Sequence, residues 1–184
     1  PYFQLERVID GAFTIASRLF GLNFKETKTV DTYHNEVLTY DVTGTDGNYI
    51  ALLYADFHPR PGKRNGAWMT SYKSQMIKDG KNERPHISIV CNFTKPTPSK
   101  PSLLTFNEVT TLFHEFGHAL HGILADTTYP GLSGTSVFWD FVELPSQVME
   151  NWCYEEEALA LFAKHYKTGE DIPMELVKKI KESA

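Results

Sequence analysis

Between Thr105 and Leu124 the apolar residues Leu112, Phe113, Phe116, Leu120 and Ile123 recur at helical spacing, and His114, Glu115 and His118 interrupt them. A four-residue step turns a helix by about 400° and climbs about 6 Å, so the two imidazoles project from one face and can reach one ion. The run His114-Glu115-Phe116-Gly117-His118 is an HExxH motif. In that arrangement the glutamate is left free of metal and can accept a proton from a metal-activated water.

Five residues are a short motif, so the surroundings have to carry the reading. A catalytic zinc takes three protein ligands and keeps one position open. His121 shares the helical face but stands about 10 Å along the axis from His114, too far for three rings to converge on one ion. It is assigned a substrate-side role or one behind the ligands. The HExxHxxGxxH solution fails as well, because His121 and Leu124 occupy the positions of its glycine and last histidine.

What remains is a carboxylate from another helix, and the segment from Asp140 to Glu150 offers Asp140, Glu143 and Glu150. A carboxylate lying among Phe141, Val142 and Leu144 is costly to bury unless a cation compensates it, a description that fits Glu143. Asp140, one turn back, and Glu150, two turns on, could each orient a ligand histidine through its free N–H.

The remaining chain reads as a helix from Leu5 to Phe20 stopped by Gly21, then a hairpin with Asp46-Gly47 at its turn. The hairpin strands are Glu36–Val42 and Tyr49–Tyr54; a breaker-rich loop follows between Asp56 and Gly66, and another strand covers His86–Phe93. Thr105 or Asn107 caps the motif helix, and further helices are predicted over Ser136–Cys153, Glu155–Lys167 and Pro173–Glu182. The fold class is therefore α+β, mostly helical, with a small antiparallel sheet and an HExxH helix. It forms one unit over 1–184, with helix and sheet in 1–104 and the zinc-binding helical part in 105–184.

The net charge of −5, with no basic stripe interleaved with aromatics, argues against nucleic acid. No apolar run approaches the length of a membrane span, and no export leader precedes the first helix. Cys91 and Cys153 sit in apolar or aromatic surroundings typical of buried free thiols, which points to a reducing compartment. His34, His58, His86 and His165 lack ligand spacing, and Trp68, Trp139 and Trp152 read as core or interface aromatics.

The runs Phe113–His121, Leu132-Ser133-Gly134-Thr135 and Asp140–Gln147 closely resemble the thimet oligopeptidase family of zinc peptidases, in particular its bacterial peptidyl-dipeptidase branch. The likeness extends through Phe20-Gly21-Leu22, Gly66-Ala67-Trp68-Met69 and Val90–Pro96, and so covers essentially the whole chain. It implies a zincin-like core and one zinc ion held by His114, His118 and Glu143, with Glu115 as general base and later proton donor. It also implies short peptide substrates, release of C-terminal dipeptides and a cytoplasmic location.

Family members are several times longer, so the resemblance makes this chain a catalytic-core fragment. It would lack the N-terminal helical lobe and the downstream segment whose tyrosines and histidine hold the substrate. The rival is a non-catalytic zinc-binding or helical interaction module, but a closed structural site has no need of Glu115. Two local expectations follow. An extended substrate lies along the strand Ile87–Phe93 as a sheet edge. The glycines of the loop Tyr129–Thr135, Gly134 among them, let it move or approach the substrate. Sequence leaves the oligomeric state open.

Overall fold

A computed structural model of the chain describes residues 1–182. Helix α1 covers Leu5–Phe20 and buries Leu5, Val8, Ile9, Ala12, Ile15 and Ala16, the periodic positions of its sequence. Gly21 ends it in the left-handed conformation, with φ 66°, which costs glycine nothing.

Strands β1 (Leu22–Glu26), β2 (Leu38–Gly44) and β3 (Tyr49–Asp56) form an antiparallel meander. In the β2–β3 turn Gly47 has φ 80° and Asp46 Oδ1 accepts from the Asn48 amide at 3.0 Å. Beyond the breaker loop come β4 (Trp68–Lys73), the small hairpin β5 (Met76–Lys78) with β6 (Lys81–Glu83), and β7 (His86–Val90).

The main sheet runs β1-β2-β3-β7-β4, with β7 parallel to β3 and antiparallel to β4. This corrects two expectations. The sheet is not wholly antiparallel, because the long excursion through β4 to β6 returns β7 in the same direction as β3. Nor is β7 an edge: its ladder is occupied on both sides, and the edges of the sheet are β1 and β4, of which β4 adjoins β7.

Helix α2 (Phe106–Ile123) lies across β7 and β4. Thr105 is the cap: its hydroxyl accepts from the Glu108 amide at 3.2 Å while Glu108 Oε2 accepts from the Thr105 amide at 2.7 Å. That reciprocal pair satisfies two of the otherwise orphaned first-turn donors. Phe116 points into an aromatic cluster with Phe13 and Phe24, whose rings stack at 4.2 Å. One core runs from Phe3 to Val177, so both halves of the chain share it.

The segment predicted as a helix from Ser136 is a series of turns up to Glu143, and α3 covers only Leu144–Asn151. Pro145 accounts for this. It has no N–H to donate back along a helix, and its fixed φ suits a first turn, so the helix begins there. A 3₁₀ turn at Trp152–Tyr154 leads into α4 (Glu156–Phe162), which stops at Ala163, short of the expected Lys167. Helix α5 covers Met174–Glu182. Among the described residues no helix is long and apolar enough to cross a membrane.

The loop after β3 is pinned by a buried ionic hub. Asp56 takes two hydrogen bonds from Arg60, at 2.7 and 2.8 Å, and one from Tyr33. Lys63, 4% exposed, donates to Asp56 Oδ1 and to the carbonyls of Asp56, His58 and Cys91. Burial alone pushes the Asp56 carboxyl up, but the hydrogen bonds from Arg60, Lys63 and Tyr33 outweigh it and hold it at about 2.

The folded value lies below the ordinary 3.8. Its stabilisation is therefore complete above that value and is lost as the pH falls through about 2. Asp56→Ala, which strands a buried ammonium, is expected to cost about 3–5 kcal/mol in urea unfolding at neutral pH, with the deficit against the wild type shrinking on acidification. An unchanged midpoint would remove the hub from the account.

Candidate metal centre

On α2 the imidazoles of His114 and His118 stand one above the other, ring centroids 4.8 Å apart. Glu143, at the N-terminal end of α3, brings Oε2 to 3.2 Å from His114 Nε2 and 3.1 Å from His118 Nε2. One ligand atom from each of the three residues lies within 4.8 Å of the others. Donors about 2.0–2.2 Å from a tetrahedral zinc stand roughly 3.3–3.5 Å apart, and the two histidine–carboxylate distances fall within a few tenths of an ångström of that. Two imidazoles and a carboxylate are also the donor set that borderline cations such as zinc accept.

The structure brings Glu143 beside the two histidines, but the burial argument made for it from the sequence does not hold there. Its side chain is 49% exposed, so no burial penalty has to be offset there. Its orientation comes from Ser146, whose buried hydroxyl lies 2.8 Å from both the Glu143 carbonyl and Oε2. That hydrogen bond, with the two histidines beside it, keeps the Glu143 carboxyl below the ordinary carboxylate range against the opposing effect of burial.

Glu150, two turns along α3, accepts from His114 Nδ1 at 2.5 Å. This fixes the proton on Nδ1 and leaves the Nε2 lone pair facing Glu143 and any cation. Asp140 does no such thing. It is exposed in the turns before α3 and makes no hydrogen bond or ion pair with either histidine, because the helix that would have carried it does not extend that far back. His118 Nδ1 is buried with no partner among the described residues, and burial lowers the pKa of the ring, which favours the neutral, ligating form.

Glu115 is buried, 7% exposed, and lines the same cleft of about 610 Å³ as the two histidines, Trp68, Met69 and Val137. Burial raises its carboxyl above the ordinary range and the Glu143 charge adds to the rise, while His114 and the Met69 backbone oppose it. Trp139, expected in a core or interface, is 92% exposed at the rim of this cleft.

His121 and Gly134 lie elsewhere. Both line an apolar groove beside Leu120, Leu132, Leu144 and Val148, and His121 packs edge-on against Phe141. Gly134, with φ 57°, makes its close approach to the α2 backbone: a Cβ there would stand 3.0 Å from Gly122 Cα.

Gly117, inside the motif, is the residue that sequence reasoning passed over. A Cβ on it would lie 2.5 Å from Ser146 Cα and 2.6 Å from the Pro145 carbonyl oxygen, both backbone atoms of α3. The helices carrying the histidines and the carboxylates therefore touch backbone to backbone beside the site. A glycine in a helix interior costs about 1 kcal/mol relative to alanine, and that cost was the available signal.

The arrangement defines a class: two histidines and a glutamate that could hold a metal ion, with a buried carboxylate beside them. Comparison with known proteins gives the family, Peptidase family M3, which matches residues 1–184; the chain belongs to it. Oligopeptidase A of Escherichia coli is 45% identical over 182 residues, 98% of this chain and 27% of that protein. Organellar oligopeptidase A of Arabidopsis thaliana is 46% identical over 187 residues, 98% of this chain and 24% of that protein. Dipeptidyl carboxypeptidase of Escherichia coli is 40% identical over 185 residues, 100% of this chain and 27% of that protein. The chain thus spans about a quarter of the length of these relatives.

Gly117→Ala is expected to destabilise the chain by about 1–3 kcal/mol, whereas an unobstructed helix position would gain up to about 1 from the same change. Zinc affinity, measured by chelator competition, should fall in parallel as α3 is displaced. A variant as stable and as tightly metallated as the wild type would show that the contact does not set the site.

Proposed function

We propose that this chain is the zinc-binding catalytic core of a peptidase that hydrolyses peptide bonds in short oligopeptides. The observation that carries the reading is the convergence of His114, His118 and Glu143 from two helices, with Glu115 buried beside them in the same cleft. Membership of Peptidase family M3 supports it. Residues 1–104 and 105–184 act as one zincin-like unit of a larger protein, in keeping with their shared core and the greater length of the relatives.

One zinc ion, held by the two Nε2 atoms and the Glu143 carboxylate, would lower the pKa of water at the centre to about 7 and polarise the scissile carbonyl. Glu150 keeps the His114 ring in its ligating tautomer, and Ser146 keeps the Glu143 oxygen turned toward the histidines. Glu115 accepts the proton of the attacking water and hands it to the departing amine. Its raised pKa brings the two protonation states closer in energy at working pH, as a group that both takes and gives a proton requires.

The substrate extends along the free edge of β4, whose Trp68 and Met69 line the cleft with Glu115. That edge offers unpaired backbone groups, which an interior strand such as β7 cannot. Release of C-terminal dipeptides is the finer form of the proposal, supported by the likeness to a dipeptidyl carboxypeptidase. Two buried, unpaired cysteines accord with a reducing, cytoplasmic compartment.

In the intact protein, Glu115→Gln should lower kcat by about 10²–10⁴-fold with one zinc per chain retained, and His114→Ala should lose the metal. Glu150→Gln should weaken zinc binding by about 10–100-fold. Full activity in the Glu115 variant would overturn the mechanism. Mass spectrometry of the products separates C-terminal dipeptides from internal fragments.

A further inference from the structure

Gln75, in the link between β4 and β5, is completely buried although it is polar and lies outside the metal cleft. Its amide is fully used. Nε2 donates to Asn82 Oδ1 at 3.0 Å and to the Thr127 carbonyl at 2.9 Å. Oε1 accepts from the Thr127 amide at 2.8 Å, the Thr127 hydroxyl at 3.2 Å and Ser133 Oγ at 3.4 Å. A single side chain thereby joins the β5–β6 hairpin, the first residues after α2 and the loop that returns toward the cleft. Ile77 extends the seam by donating to the Thr128 carbonyl at 3.1 Å.

The position of this seam gives it a consequence. Immediately after Ser133, Gly134 presses against Gly122 of α2. Immediately after that, Thr135, Val137 and Trp139 line the metal cleft. The chain meets α2 again where Phe141 packs against His121, where Glu143 reaches His114 and His118, and where Pro145 and Ser146 approach Gly117. The wall of the cleft from 135 to 140 is thus a span of turns between two fixed points, and Gln75 holds the first.

We propose that Gln75 is a positioning residue for substrate binding: it sets where the 135–140 wall stands over the cleft by anchoring Thr127 and Ser133. This deepens the peptidase reading and rests on it for its kinetic consequence. Loss of the anchor should loosen the wall, whose Thr135, Val137 and Trp139 line the cleft proposed to take the peptide, and leave the α2–α3 contact that carries His114, His118 and Glu143.

The test uses the intact protein with Gln75→Met, which keeps the volume and removes all five hydrogen bonds, and Ser133→Ala, which cuts only the loop arm. Gln75→Met should raise KM for an oligopeptide about tenfold with kcat within about twofold, the energy of one or two lost hydrogen bonds. Zinc content should stay at one per chain. Amide hydrogen exchange at 129–137 should quicken about tenfold while the core amides of α2 keep their protection. Ser133→Ala should show the same pattern at smaller amplitude and decides the matter if the methionine variant does not fold.

Unchanged exchange at 129–137 in either folded variant, or loss of protection spread equally over α2 with kcat falling alongside KM, would overturn the proposal. If the unaltered protein cleaves no peptide, the peptidase reading fails by itself, and the exchange measurement still decides whether Gln75 holds the wall.

Discussion

The backbone contact between α2 and α3 at Gly117 is the constraint on which the site depends. Two imidazoles at i and i+4 are a property of one helix, but the third donor and its supporting groups come from another. Their arrival within about 3 Å of the rings requires the helix axes to pass closer than any side chain would permit. Removing the Cβ at one position is the simplest way to meet that requirement. Once Pro145 and Ser146 lie against Gly117, Glu143 at the start of α3 and Glu150 two turns later reach His114 from either side of its ring.

The sheet supplies the other half of the frame. Helix α2 rests on β7 and β4, with Ile87 and Met69 against Gly122. The ionic hub of Asp56, Arg60 and Lys63 ties the loop before β4 to the end of β7 through the Cys91 carbonyl. Asn92 adds two bonds to the carbonyls of Arg64 and Gly66, at the entry to β4. The edge strand beside Glu115 is therefore held at its start by the charges and amides of the loop before it. A loop rich in proline and glycine can in this way deliver a strand in a fixed register.

The electrostatics divide by exposure. Glu115 is buried and its carboxyl is pushed up, as suits the proposed proton acceptor and donor. Glu143 is exposed, hydrogen-bonded by Ser146 and flanked by the two histidines, and its carboxyl is held down, as suits the anionic ligand proposed there. Two glutamates of the same cleft thus acquire opposite characters from their surroundings.

Much of this was legible in the residues alone. The α2 helix, a cap at Thr105 or Asn107, the paired histidines, the adjacent Glu115 and the β2–β3 hairpin all follow from local periodicity and turn chemistry, which act over a few residues. The choice of Glu143 was also reachable, although through a burial argument that its exposed side chain does not support. The insertion of β7 between β3 and β4, the unravelling of 136–143, the selection of Glu150 over Asp140, the contact at Gly117 and the anchoring by Gln75 were decided only in three dimensions. Each depends on which distant segments meet, and that is fixed by the packing of the whole core, which no short window of sequence encodes.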